Sequence, residues 1–275
     1  AITGATRGPI SEPTSLSSGF FDIAEKTDAF YAQANFEFGI IRGNAGLRYL
    51  KTDVESTGNS VLNGVVTPTK TSSSYDFVLP RINMVASVRD DVLVRLGWGK
   101  DIRRPNFDDL STSATFSTSP NPPVQIGNPG LKPEEVTSTD LSAEWYFAPS
   151  SVLSVGFFHK KRTGLFVRTQ ENPFEDPATG YRDTTAPCED GGIFNPIADI
   201  NVFGPTPGVG VCVPSATTVN GSGETTQKGI EIAFQYDLAQ FEDKLGWASG
   251  FGLLANFTRQ KFSGGDTYLT PIDRA

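Results

Sequence analysis

The alternation of hydrophobic and polar residues is clearest between Gly127 and Lys161, where it predicts two β-strands joined by a tight turn. From Thr139 to Phe147 the odd positions are mostly apolar and the even positions mostly polar. Because successive strand side chains point to opposite faces, this alternation predicts one apolar and one polar face. Ala148-Pro149-Ser150 interrupts the pattern, since proline fixes φ and donates no backbone hydrogen bond. Alternation resumes with Leu153 and Val155, which predicts a returning strand.

The same alternation predicts eight strands along the chain, with the first running from about Thr27 to Phe38. Short turns are predicted after the odd-numbered strands, at about 41–43, 89–91, 148–150 and 239–247. Long polar or proline-rich loops are predicted after the even-numbered strands, at about 56–74, 101–132 and 169–224. Outer-membrane barrels alternate short and long connections in this way, whereas soluble β-sandwiches mix loop lengths.

Strand length and aromatic placement also indicate a membrane barrel. The predicted strands have about 12 to 16 residues, and roughly 9 to 11 suffice to cross a bilayer. Aromatic residues gather near strand ends, as in Phe38, Trp145 and Tyr236, which suits an interfacial girdle. The inner positions include several glycines and serines, which favours a wide interior. The predicted fold is therefore all-β: an antiparallel, up-and-down segment of a transmembrane β-barrel, with about eight strands in an open curved sheet.

Composition narrows the class of partner and the compartment. The net charge of −8 argues against nucleic acid. The mean hydropathy of −0.23 is compatible with a barrel, whose strands hide apolar residues at every second position. No signal peptide precedes Ala1, which is expected either for a mature or excised segment or for a cytoplasmic protein, and the strand pattern favours a segment.

The alternation assigns side chains to two environments. One set is expected to face the lumen, where it tunes the interior or contacts a plug: Arg48, Arg95, Glu144, Glu231, Asp237 and Asn256. A second set is expected to face lipid near the middle of the membrane: Leu141, Val155, Ile232 and Leu253. For any single lumen residue, a solvated wall is an equally good interpretation.

The sequence predicts no enzyme, metal site or cofactor. Glu134 and Glu135 are adjacent, so on a strand they point apart, and no nucleophile accompanies them. His159 is the only histidine, which rules out a histidine-based metal site or triad within the chain. Asp183, Glu189 and Asp190 do not have the spacing of a calcium loop.

Several motifs resemble TonB-dependent outer-membrane receptors. The segment Gly127–Glu134 (GNPGLKPE) is similar to the stretch that re-enters the barrel in that family, and Arg104-Pro105 is similar to the stretch before the preceding loop. Tyr31-Ala32-Gln33, Gly46–Tyr49 and Gly252–Thr258 resemble its strand sequences. The best match is to a proteobacterial subgroup often associated with carbohydrates and other scarce nutrients.

The resemblance implies a function and a larger protein. It implies a 22-stranded barrel in the outer membrane of a Gram-negative bacterium, an N-terminal plug, and energy delivered by the TonB complex. It also implies import of a nutrient such as a carbohydrate, siderophore-bound iron or a vitamin, met first by the extracellular loops. Residues 1–275 are expected to be an internal part of the barrel domain, without the plug and the C-terminal strands. The alternatives are a passive porin-type barrel and, less favoured, a soluble ligand-binding β-sandwich.

The two cysteines are expected to form a disulfide. Cys188 and Cys212 both lie in the longest predicted loop, between the sixth and seventh strands. If that loop is extracellular, its surroundings are oxidising and a pair there is expected to be bridged. The prolines of this loop are expected to stiffen it without giving it a core.

Overall fold

The computed structural model describes residues 20–62, 65–184, 187–198 and 210–265. Its strands in chain order are β1 (Phe21–Phe38), β2 (Ile41–Leu62), β3 (Val65–Arg89), β4 (Val92–Arg103), β5 (Ala114–Thr115), β6 (Val124–Gln125), β7 (Glu134–Ala148), β8 (Ser151–Thr163), β9 (Phe166–Glu171), β10 (Ile193–Asn195), β11 (Val211–Val213), β12 (Ser215–Asn220), β13 (Glu224–Asp237) and β14 (Gly252–Gly265). Short helices occupy α1 (Phe107–Leu110) and α2 (Glu242–Leu245).

Eight long strands form one antiparallel sheet in the order β1-β2-β3-β4-β7-β8-β13-β14, which confirms the predicted up-and-down arrangement. The sheet is open, because among the described residues β1 pairs only with β2 and β14 only with β13. No helix in the described part of the chain is long and apolar enough to span a membrane.

The connections β1–β2, β3–β4, β7–β8 and β13–β14 lie together at one end of the sheet, which we call the turn end. Gly39 and Ile40 join β1 to β2, and Gly39 has φ +58°, a left-handed conformation that glycine adopts without steric cost. The turn thus lies slightly before the predicted 41–43. The predicted turn at 239–247 is instead a compact helical connection, made of α2 and two 3-10 turns at Leu238–Phe241 and Gly246–Gly250.

The opposite end of the sheet, which we call the loop end, shows the largest difference from the sequence-based prediction. This difference lies in the β2–β3 hairpin. Residues 56–74 were expected to form a polar loop, but β2 continues to Leu62 and β3 begins at Val65. Ser56 lies opposite Thr71, and Asn59 lies opposite Pro68. The hairpin persists because its backbone groups bond across the pair whatever the side chains are. Strand β1 likewise begins at Phe21 rather than near Thr27.

The long loop after β8 is structured as well. Strands β6, β12 and β9 form a three-stranded sheet, and β10 pairs with β11. Val124, Val211 and Val213 are buried together with Ala198. The expectation that this loop has no core is therefore wrong, because a strand of the preceding loop, β6, packs into it.

The strand register gives the long sheet two chemically different faces. Directly opposite residues in an antiparallel pair carry side chains on the same face. Arg95 lies opposite Ser142, which lies opposite Gly156, which lies opposite Glu231. We call this the polar face. Val155 lies opposite Ile232 on the other side, which we call the apolar face.

A buried cluster covers the loop end of the polar face. Leu50 and Val54 of β2 and Tyr75 of β3 pack there with Leu110 and Leu131, which come from the connection between β4 and β7. Leu50, Val54 and Tyr75 lie on the same face as Arg48. The polar face therefore carries apolar side chains where the connection between β4 and β7 folds over it. The sequence predicted small and polar residues on the inner face, and this prediction holds only for the part of the polar face outside the buried cluster.

Candidate functional site

The segment from Gly127 to Glu134 brings the chain back into the sheet and organises the loop end. Leu131 is 2% exposed and packs in the cluster with Leu110. A Cβ on Gly127 would lie 2.1 Å from the carbonyl oxygen of Ser111, so only glycine fits against that backbone. The segment is therefore held by close packing on both sides.

Two asparagines join this segment to the loop between β8 and β13. The Asn220 side chain donates hydrogen bonds to the carbonyl oxygens of Lys132 (2.7 Å) and Gly164 (3.1 Å), and it accepts one from the Lys132 amide (2.8 Å). The Asn128 side chain donates to the Thr218 carbonyl oxygen at 3.1 Å. The two long loops therefore form one connected unit, which we call the loop lobe.

Glu134 is a buried charge at the base of this lobe, with its side chain 3% exposed. Its carboxylate lies 3.2 Å from Arg103 and 3.6 Å from Arg162, and it accepts a hydrogen bond from the Phe166 amide at 3.0 Å. The Arg103 guanidinium also lies 5.6 Å from the centre of the Phe166 ring. This arrangement neutralises Glu134 and anchors β9 on the polar face. It is a structural ion pair.

Arg104, in the motif that precedes the loop, connects the lobe to the first two strands. Its guanidinium lies 3.6 Å from Glu25 and donates a hydrogen bond to the Thr27 hydroxyl at 3.1 Å. The Thr27 and Thr52 hydroxyls are 2.8 Å apart and share a hydrogen bond. Arg104 thus links β1 and β2 to the start of the loop lobe.

A cleft of about 730 Å³ opens between the two loops of the lobe. Its charged lining residues are Arg103, Arg168, Asp108 and Asp109. Most of the remaining lining carries hydroxyl or amide groups, from Asn106, Ser111, Ser113, Thr115, Gln125, Thr217 and Thr218. Hydrogen bonds from Thr218 (2.9 Å) and Asn106 (3.3 Å) occupy both oxygens of Asp109. Arg103 is already paired with Glu134, so the cleft presents the exposed charges of Arg168 and Asp108 among many neutral hydrogen-bonding groups.

None of the six residues predicted to face the lumen lines this cleft, although all six lie on the polar face. Arg95 and Glu144 form a two-pronged ion pair at 2.8 and 3.1 Å, and the Tyr146 hydroxyl donates to Glu144 at 2.8 Å. Asp237 accepts a hydrogen bond from the Ala239 amide at 2.8 Å and so begins a 3-10 turn. Arg48 lines a separate depression of about 410 Å³ with Arg81.

The residues that build the cleft were mostly missed by sequence reasoning. Asn220 lay in the loop predicted at 169–224, and Arg168, one residue before that loop, was assigned no role. The sole local signal was the Asn-Gly pair at 220–221, which indicates a turn but does not show which segment of the chain Asn220 contacts.

The four residues predicted to face lipid share the apolar face. Leu141 lies opposite Phe157, and Leu253 lies opposite Tyr236, in the same alternation as Val155 and Ile232. At the turn end, Phe147, Phe234 and Tyr236 stack with ring centres 5.7–6.1 Å apart. The apolar face thus ends in a belt of aromatic rings.

Cys188 and Cys212 are bonded to each other, with Cα atoms 5.8 Å apart and a sequence separation of 24. Cys212 is fully buried in the small β10–β11 ribbon. The bond closes the outer part of the loop lobe. Among the described residues, no group of three or more His, Cys, Asp or Glu side chains could hold a metal ion.

A long-stranded open meander with one apolar face, an aromatic belt at its turn end and structured loops at the other defines a segment of an outer-membrane-type β-barrel. The family described as TonB dependent receptor-like, beta-barrel matches residues 3–274. The chain belongs to this family. The family consists of transport receptors rather than enzymes, in agreement with the predicted absence of catalysis.

Solved structures support the same fold. The chain is similar to the FrpB iron transporter from Neisseria meningitidis (F3-3 variant), with a TM-score of 0.51 and 13% identity over 92% of this chain and 28% of that one. It is similar to a double mutant of the Serratia marcescens hemophore receptor HasR in complex with HasA and heme, with a TM-score of 0.51 and 15% identity over 86% of this chain and 34% of that one. The chain thus spans about a third or less of these proteins. A comparison with curated proteins finds no match.

Proposed function

We propose that this chain forms part of the barrel wall of an outer-membrane receptor that imports a scarce nutrient with energy delivered through TonB. The observation that carries the proposal is the loop lobe, folded over the polar face and enclosing the cleft of about 730 Å³. A ligand arriving from the loop side meets this cleft before it reaches the rest of the polar face. Family membership supports the same placement, with the apolar face toward lipid of a Gram-negative outer membrane.

The lining of the cleft suits a ligand rich in hydrogen-bonding groups. Hydroxyl and amide side chains outnumber apolar ones, and Arg168 supplies an exposed positive charge. Carbohydrates and anionic iron chelates both have this chemistry, and the iron and heme proteins named above fit the second. The proposed nutrients are therefore carbohydrates, anionic iron chelates and, as a further candidate of the same kind, vitamins.

The test measures uptake by cells that express the intact receptor. Labelled ferric siderophore, oligosaccharide and cobalamin serve as probes, with and without a protonophore and with and without TonB. We expect saturable uptake of one probe that stops when either energy source is removed. Uptake that continues without TonB would instead support a passive porin.

A matched pair of variants connects uptake to the cleft. Arg168→Gln removes a cleft charge without altering a strand of the long sheet, whereas Lys244→Gln removes one charge at the turn end. We expect a loss of about tenfold in apparent affinity for Arg168→Gln, the value of one charged hydrogen bond, and no loss for Lys244→Gln. Equal affinity in both variants would exclude the cleft as the binding site.

A further inference from the structure

Four cations gather on the apolar face at the loop end of β8, β13 and β14. Lys228 lies directly opposite Lys261, and Arg259 lies two residues before Lys261 on the same face. Lys161 lies opposite Thr226, two residues from Lys228. We call these four residues the basic patch. A positive cluster is unexpected in a chain whose net charge is −8.

The charge of the basic patch is largely uncompensated within the described residues. Lys161 pairs with Glu224 at 2.5 Å, but no described carboxylate lies within ion-pair distance of Lys228, Arg259 or Lys261. Lys228 and Lys261 are exposed, and like charges directly opposite each other in a sheet are destabilising. An external anion between them would remove this cost.

Strands β1 to β3, at the other edge of the same sheet, serve as an internal comparison. Every lysine at the loop end of the apolar face of β1 to β3 has a carboxylate partner: Lys26–Asp28 at 3.7 Å, Lys51–Asp53 at 3.8 Å and Lys70–Glu55 at 2.7 Å. Within the described residues, charge compensation is therefore present at the loop end of β1 to β3 and absent for Lys228, Arg259 and Lys261.

The position of the basic patch indicates what supplies the anion. Ile232, on the apolar face, lies four residues from Lys228, which corresponds to about 13 Å along the strand and, at the roughly 35–45° tilt of barrel strands, to about 10 Å along the membrane normal. The hydrocarbon half-thickness of a bilayer is about 15 Å, and lysine side chains extend their charge from an apolar surface toward headgroups. With Ile232 near the membrane centre, the basic patch lies at headgroup level on the loop side.

We infer that the basic patch binds phosphate-bearing lipid headgroups of the loop-side membrane leaflet. The inference rests on the proposed membrane placement of the apolar face. Phosphate groups would bridge Lys228 and Lys261 and extend to Arg259, whose guanidinium matches phosphate geometry. The bound lipid would be a fixed part of the outer surface of the barrel, distinct from the nutrient in the cleft.

The experiment uses the intact receptor, reconstituted in nanodiscs of phosphatidylcholine with or without phosphatidylglycerol, and counts retained lipid by native mass spectrometry. We expect selective retention of phosphatidylglycerol. The double variant Lys228→Gln with Lys261→Gln should weaken this retention about 30-fold, at about fivefold per charge near an anionic surface. The control Lys26→Gln with Lys51→Gln should retain lipid as the wild type does. Heat-dependent gel mobility verifies that each variant is folded, and Arg259→Gln replaces any variant that is not.

Equal retention by the wild type and the basic-patch variant would overturn the inference, as would an equal loss in the control. Displacement of the lipid by inorganic phosphate would also overturn it, because the site would then recognise the free anion. Failure of the receptor to enter any bilayer would overturn the membrane placement itself, whereas insertion without lipid preference would overturn only the basic patch.

Discussion

Glu134 shows how a single side chain secures the entry of β7 into the sheet. It is 2% exposed and contacts two arginines and one backbone amide. Removing a partner from a buried charged group leaves the other charges without compensation, which costs more than losing an exposed pair. Its neighbour Glu135 has only a 3.6 Å contact with Lys100 and is 44% exposed.

This difference predicts unequal effects of two isosteric substitutions. Glu134→Gln should lower the free energy of unfolding of the intact receptor by about 1–3 kcal/mol, because Arg103 and Arg162 lose their counter-ion. Glu135→Gln should change it by less than about 1 kcal/mol, as for other exposed ion pairs. Urea unfolding in detergent, followed by tryptophan fluorescence, measures both. Equal effects of the two changes would show that burial of Glu134 contributes nothing to stability.

At the scale of elements, the Cys188–Cys212 bond closes a segment of the loop lobe whose core is small. Restricting a loop of this length stabilises the folded lobe by on the order of 3 kcal/mol in the chain-entropy description. Changing both cysteines to serine should therefore increase the rate of limited proteolysis in the lobe by about 100-fold, while the long strands remain protected. Wild-type protein treated with reductant is the control and should behave as the variant does. Unchanged cleavage in both would mean that the lobe is held without the bond.

The two faces of β7 predict a second contrast between elements. Leu141 is on the apolar face and Ser142 on the polar face, one residue apart. Leu141→Arg should destabilise the receptor by about 2–4 kcal/mol if its position is near the membrane centre, whereas Ser142→Arg should cost much less. Reversible unfolding from lipid bilayers supplies both values. A larger loss at Ser142 would reverse the proposed orientation of the faces.

For the whole molecule, the open sheet determines how the chain behaves alone. Strands β1 and β14 are the two ends of the sheet, and large apolar side chains such as Leu253 (58%) and Phe257 (53%) are exposed. Unpaired strand edges and exposed apolar surface both promote association. The isolated chain should therefore aggregate in buffer and become dispersed in detergent, as measured by size-exclusion chromatography with light scattering. A monodisperse monomer in buffer would instead favour the soluble alternative.

Local chemistry was sufficient to predict much of this protein. Period-two alternation of apolar residues identified the eight long strands, because each strand buries or solvates its faces independently of its partners. The turns at 90–91 and 149–150 followed from polar and proline residues, and the cysteine pair followed from the expected compartment. The residue sets of the polar and apolar faces were also available from alternation alone.

The tertiary structure decided the remainder, and the reason is physical. The extension of β2 and β3 through residues 56–74 depends on hydrogen bonds between backbones, which no side-chain pattern encodes. The burial of Leu50 and Tyr75 on the otherwise polar face depends on Leu110 and Leu131, which are distant in sequence and lie over that face only after folding. Asn220 contacts Lys132 across 88 positions, so its role in forming the cleft exists only once both long loops have met.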